Sequence, residues 1–237
     1  MTHPYPTFVI LLAAALGAAP VAAQDAAHQV PSIVTVGEAT IRRAPDQAFL
    51  TFAVETRAKL PRDAQRLNAT AMTSVERRLA ELSIAKDSIR TTGFSIEPEY
   101  DYAGGRRTPR DFAARNGVEV RLDAVERAGE ILDAVVQAGA TSVSGIRFDL
   151  KDRTAVERDA LRHAVEDARA RADALAAGAG RTVDRVLRID DSRPPKIGPP
   201  QQMVMAMRAA PADATQTPIE PGLIEIHAQV TLTMSIK

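Results

Sequence analysis

Apolar and polar positions alternate with a period of two in several stretches of this chain and with a period near 3.6 in others, the signatures of half-buried strands and amphipathic helices. Residues 32–42 and 47–58 follow one another around Arg43-Ala44-Pro45-Asp46. In the second of them Ala48, Leu50, Phe52 and Val54 alternate with Gln47, Thr51 and Glu55, while Phe49 and Ala53 interrupt the polar face. Pro-Asp is a turn signal, so the two segments read as a hairpin. Pro61 suits the first turn of a helix whose apolar positions are Leu67, Met72, Val75, Leu79 and Leu82. Residues 89–102 alternate Phe94, Ile96, Tyr100 and Tyr102 with Ser95, Glu97, Glu99 and Asp101. Pro98 in that run places it at an edge or a bulge. Across the polar tip 103–110, Val118, Val120 and Leu122 alternate with Glu119, Arg121 and Asp123 to complete a second long hairpin.

A helix over 125–138 stops at Gly139, a residue suited to a left-handed cap, and residues 144–150 return as a strand with Ile146, Phe148 and Leu150 on one face. The longest helix spans 154–179 with Val156, Leu161, Ala164, Val165, Ala168, Ala172 and Leu175 as its buried stripe, and Gly178 and Gly180 end it. A strand at 182–189 precedes a Pro-rich connection, 193–221, whose length marks it as mobile or functional. The last strand sets Ile224, Ile226, Ala228, Val230, Leu232, Met234 and Ile236 on one face, which demands a cover. The order ββαββαβαββ predicts an α+β fold: a mainly antiparallel β-sheet with helices packed on one face. A doubly wound parallel sheet fits less well, because hairpins outnumber single crossovers.

The N-terminus adds a destination. Residues 8–19 are an unbroken run of apolar or small residues, shorter than the roughly 20 that a spanning helix needs. Pro20-Val21-Ala22-Ala23-Gln24 follows, with small residues where a signal peptidase reads them, so cleavage is expected after Ala23. The first seven residues hold no Lys or Arg, and the competing reading is an uncleaved anchor or a buried core helix. The expected organisation is a signal peptide at 1–23, a tail at 24–31 and one α+β domain at 32–237 with its Pro/Met-rich connection at about 193–221. The expected location is the periplasm, in association with the outer membrane as the further possibility. The chain has no cysteine, hence neither a lipidated cysteine nor a disulfide framework.

Composition narrows the function. Thirty basic residues balance thirty acidic ones, so no net field draws the chain to nucleic acid. Tryptophan is absent and aromatics make up 4% of residues, which argues against a sugar-binding or base-stacking platform and for a core of Ala, Val, Leu and Ile. Of the four histidines none falls in a His-Glu-x-x-His pattern. His163 has Asp159 and Asp167 four residues to either side, a spacing that suits a metal on a helix face but equally a solvated polar stripe. No serine is singled out as a nucleophile, and Gly104-Gly105 lacks a phosphate-loop pattern. Arg106, Arg107 and Arg110 beside that pair form a basic tip able to meet lipid phosphates or an acidic partner, against the plainer reading of a solvated loop. Met203, Met205 and Met207 would align their thioethers if extended, and soft sulfur suits Cu(I). The same segment, with Val204 and Met205 at its centre, equally makes an adaptable apolar patch for the domain's own sheet or a neighbouring subunit.

The chain also resembles the SIMPL-domain family. The resemblance is carried by Val36-Gly37, Pro45-Asp46, Asn68 with Met72, Thr91-Thr92 with Tyr100, Gly139-Ala140 and Gly145-Ile146-Arg147-Phe148. It continues through Ala160-Leu161, Asp167-Ala168 and Thr217-Pro218-Ile219-Glu220-Pro221-Gly222, covering about residues 32–237. It implies an exported bacterial α+β protein, a tendency to homo-oligomers and a link to oxidative-stress defence, and it supplies no catalytic residues and no cofactor. The expectation is therefore a non-enzymatic envelope protein acting by oligomerisation and interaction, its partners being its own copies and another envelope protein or the outer-membrane surface. Cu(I) binding through the Met segment is the alternative, and a hydrolytic enzyme a distant third.

Overall fold

Backbone pairing sorts the strands into two antiparallel sheets among the residues that the computed structural model describes, 30–191 and 217–237. The elements run β1 (Ser32–Arg43), β2 (Gln47–Ala58), α1 (Pro61–Glu81), β3 (Ile89–Ala103), β4 (Arg106–Leu122), α2 (Ala128–Ala138), β5 (Ser142–Asp149), α3 (Arg153–Gly178), β6 (Val183–Asp191) and β7 (Ile224–Ile236). One sheet has the order β3-β4-β2-β5 and carries α1 and α2; the other has the order β1-β7-β6 and carries α3. The α+β class with antiparallel sheets and helices packed against them is as the patterning predicts.

The expected hairpin between β1 and β2 does not form. β1 pairs along its whole length with β7, from Ser32 opposite Ser235 to Arg43 opposite Ile224, while β2 pairs with β4 and β5. Ala44-Pro45-Asp46 is instead the crossing from one sheet to the other. Pro45 is buried there, and the Asp46 carboxylate accepts from the Lys151 N–H at 2.7 Å, which joins this crossing to the one between β5 and α3. A turn signal reports that the chain changes direction; the strand that the next segment finds is decided by which apolar face it must cover.

Two helix stripes also differ from their periodic reading. In α1 the buried positions are Ala64, Asn68, Met72, Val75 and Leu79, while Leu67 is exposed. Asn68 Nδ2 donates to the carbonyls of Val54 and Ala114, both at 2.9 Å, and so pins the helix to β2 and β4. In α3 every fourth residue of one line, Ala160, Ala164, Ala168, Ala172 and Ala176, is fully buried, and Leu175 is exposed. That line of methyl groups lets the helix lie almost on the backbone of β1. A Cβ on Gly37 would stand 2.0 Å from the Ala164 carbonyl oxygen and 2.4 Å from the Ala168 nitrogen. Thr35 Oγ1 donates to the Ala168 carbonyl at 2.8 Å, and the Glu38 N–H donates to Asp167 Oδ2 at 3.0 Å. The Glu38 N–H, with Arg171 in second place, holds the Asp167 carboxyl below its ordinary range.

The final strand's apolar face finds its cover inside the subunit: Val230, Leu232 and Met234 are buried under α3 with Ala164, Ala168 and Ala172. Ile226 joins Leu150 and Ala160 in a smaller cluster, so Leu150 serves the α3 side and not the face of Ile146 and Phe148. Before β7, the segment from Thr217 crosses back to α2. Its N–H and hydroxyl donate to the Asp133 carboxylate at 3.0 and 2.6 Å, its carbonyl lies where a Cβ on Gly129 would come within 2.3 Å, and Ile219 enters the core of the four-stranded sheet.

Candidate functional site

The β3–β4 hairpin is longer than the sheet that supports it. β2 pairs with β4 from Leu122 back to Phe112, which leaves 106–111 of β4 and the facing 99–103 of β3 without a third strand among the described residues. Gly104 and Gly105, both with positive φ, make the turn at the tip. Pro98 lies in β3, the sheet's edge strand, where a missing N–H costs no ladder bond to a further strand. A two-stranded ribbon has no core of its own and is marginal in water, so its faces decide what it does.

Residues directly opposite in an antiparallel pair share a face. Ile96 faces Ala114, Pro98 faces Phe112, Tyr100 faces Pro109 and Tyr102 faces Arg107. Ala114 is fully buried on the side where Thr56 bonds to α1, so this row begins under the helix and runs out beyond it. Phe94 at its root is 50% exposed and Tyr102 at its end 77%. The Arg107 guanidinium lies 3.5 Å from the centre of the Tyr100 ring, a cation–π stack that spreads the aromatic face.

The opposite face is an ion-pair network. Glu99 accepts from Arg57 Nε at 3.0 Å and from Arg110 Nη2 at 2.7 Å, and Arg110 also reaches Asp101 at 3.3 Å and Asp111 at 3.4 Å. Lys59 Nζ pairs with Asp111 and donates to the Arg110 carbonyl, both at 3.0 Å. Arg57 first and Arg110 second hold the Glu99 carboxyl below its ordinary range, and Glu99 in turn raises Arg110. The arm is thus buttressed at its base from the end of β2, on one face only.

The three arginines of the tip therefore separate. Arg110 is consumed by carboxylates, Arg107 stacks on Tyr100, and Arg106 is exposed with no ion pair among the described residues. Met203, Val204, Met205 and Met207 lie outside the described residues. On α3, Asp159 pairs with Arg162, Asp167 with Glu38 and Arg171, and His163 with Glu166 at 3.1 Å, so the three groups that the sequence lines up each have another partner. Among the described residues no three His, Cys, Asp or Glu side chains stand together as a metal site, and no helix is long and apolar enough to cross a membrane. Sequence reading misses the projection because it takes 103–110 as a polar tip, whereas β4 already begins at Arg106 and runs for 17 residues against the 12 of β2; the greater length of the 89–102 run than of 47–58 is the one signal for it.

Comparison with known proteins bears on this architecture as a whole. Residues 33–234 match the profile of the SIMPL family, described as a protein of unknown function (DUF541). The chain is 28% identical over 215 aligned positions to the "26 kDa periplasmic immunogenic protein" of Brucella melitensis biotype 1, covering 88% of this chain and 86% of that protein. It is 29% identical over 239 positions to the "Uncharacterized protein YggE" of Escherichia coli (strain K12), covering 97% and 93%. A YggE of Edwardsiella ictaluri matches at 29% over 189 positions, 75% of this chain and 76% of that protein.

Proposed function

We propose, because the chain belongs to the SIMPL family, that it is a periplasmic envelope protein acting by self-association and interaction, without catalysis of its own. The location rests on the predicted signal peptide together with the name of the Brucella relative. The observation that carries the rest is the projecting arm. A ribbon of two strands with an aromatic row on one face loses little of its own stability when that face is covered by a partner and gains the burial of the row. Tyr and Phe are favoured at such contacts because they bring large area with few rotatable bonds. A second exposed strip supports the same reading. Val186, Leu187 and Ile189 lie on β6, an edge of the three-stranded sheet among the described residues, and Ile189 is 59% exposed although it faces the α3 side.

The partner we assign first is another copy of this chain, in a closed symmetric assembly. Contact with the outer membrane and a place in oxidative-stress protection belong to the same proposal and rest on the family resemblance. Light scattering of the purified protein tests the core of it. The expected mass is a multiple of the subunit, reduced by Phe94→Ser with Tyr102→Ser while the far-ultraviolet circular dichroism is unchanged. A wild-type protein that stays monomeric at millimolar concentration would refute self-association.

A further inference from the structure

Apart from the arm, the described residues form a half-open pocket of about 170 Å³ where the end of β4 meets the loop after α1 and the start of α2. Its floor is apolar, made by Ile84, Leu122 and Ile131, and its polar wall is made by Ser83, Ser88 and Arg121. The charges around it are unevenly spent. Arg127 donates to Glu130 at 2.9 Å and to the Leu82 carbonyl at 3.1 Å, and Asp123 is paired with Lys151 at 3.2 Å, which holds its carboxyl below the ordinary range. Arg121 differs from both. Its Nη2 donates to Ser88 Oγ at 3.2 Å, its Nε is buried with no acceptor, and no ion pair is formed with it among the described residues, although the Asp123 carboxylate on the same wall is near enough to be lowered by it, after Lys151.

A guanidinium carries five N–H donors and no acceptor, so a wall with one of them satisfied is short of acceptors. Ser88 Oγ, already accepting from Arg121, has its own proton to give, and no acceptor is described for the Ser83 hydroxyl. The buried Nε is out of a ligand's reach, so the two parallel hydrogen bonds with which a carboxylate answers a guanidinium would come from the terminal Nη groups. The volume corresponds to roughly one amino-acid side chain with its carboxyl, since small-molecule sites are several times larger.

We propose that this cavity binds a carboxylate on a short apolar stem, with the carboxylate on Arg121, Ser88 and Ser83 and the stem on Ile84, Leu122 and Ile131. The same chemistry is presented by a free short-chain acid and by the C-terminal residue of a peptide. Nuclear magnetic resonance titration of the purified exported protein decides between them, with butyrate as one probe and acetyl-Ala-Ala-Leu, as free acid and as amide, as the other. Shifts of the Ser83, Ser88 and Leu122 amides are expected for the acids. The affinity should fall about tenfold or more in Arg121→Gln, the range of a lost charged hydrogen bond, and stay unchanged in Arg90→Gln. The tighter of the two acids identifies the source. Binding of the amide as tight as the acid, equal binding by a folded Arg121→Gln, or no shifts with either acid at millimolar concentration would each overturn the proposal.

Discussion

Replacing Gly37 by alanine puts one methyl group where α3 already is. The new Cβ would stand 2.0 Å from the Ala164 oxygen and 2.4 Å from the Ala168 nitrogen, both backbone atoms that no rotamer change can move. An ordinary contact begins near 3.4 Å, so helix and sheet must part by more than an ångström. α3 is tied at this point by the Thr35 and Glu38 bonds and packed through Ala164, Ala168 and Ala172 on Val230, Leu232 and Met234. A gap of about 0.5 to 1 Å already forfeits a quarter to a half of the dispersion energy of the atoms that face it. Overpacking costs about 1 to 3 kcal/mol when side chains can adjust; here only backbone can, so a loss of at least about 3 kcal/mol is expected. For a domain of this size that lowers the melting temperature by roughly 6 to 12 °C. Urea and thermal unfolding followed by circular dichroism measure it, with Gly93→Ala as the control, since a Cβ there meets nothing within 4 Å and should change stability little. A Gly37→Ala protein within about 0.5 kcal/mol of wild type would show that α3 does not lie on β1 as described.

Three further outcomes follow from the same packing. Asn68→Ala removes the donor that serves two strand carbonyls, and a loss of about 2 to 4 kcal/mol in urea unfolding is expected; a neutral effect would mean that water replaces the amide. Because the Glu99 carboxyl is lowered by Arg57 and Arg110, its contribution to the arm is present above the ordinary glutamate value of about 4.3 and is lost as pH falls through its lower folded value. Amide exchange in 99–111 should accelerate over that acid range in wild type, and in Glu99→Gln it should already be fast at neutral pH. Gly129→Ala would push a methyl group into the Thr217 carbonyl, so the 217–222 segment should lose protection in hydrogen exchange while α3 keeps its own; unchanged protection at Thr217 would show that the segment is held by Asp133 and Ile219 alone.

How much of this was legible before folding depends on whether the information was local. The alternation of Phe52 and Val54 or of Val230, Leu232 and Met234, and the glycine that ends α2, are local statements, and the elements appeared close to where their patterns placed them, except β4, which begins at Arg106 inside the expected polar tip. Partners are not local. Arg43-Ala44-Pro45-Asp46 reads as a hairpin turn from either side, yet β1 finds β7 at the far end of the chain, with Arg43 opposite Ile224, because α3 must bury its alanine line on that pair.

The helix stripes show the same limit. Periodicity favours Leu67 and Leu175 by hydrophobicity, but Asn68 is chosen because two carbonyls need a donor, and Ala176 because the helix lies too close to the sheet for a leucine. The arginines at 106, 107 and 110 are equivalent as letters; the bulge after Glu99 and the cross-strand register send one into carboxylates, stack one on a tyrosine and leave one exposed. The sequence by itself determined the strands, the helices, the predicted export signal and the family. Tertiary structure decided which faces were left over, since a face becomes a surface for partners only after every closer claim on it has been met.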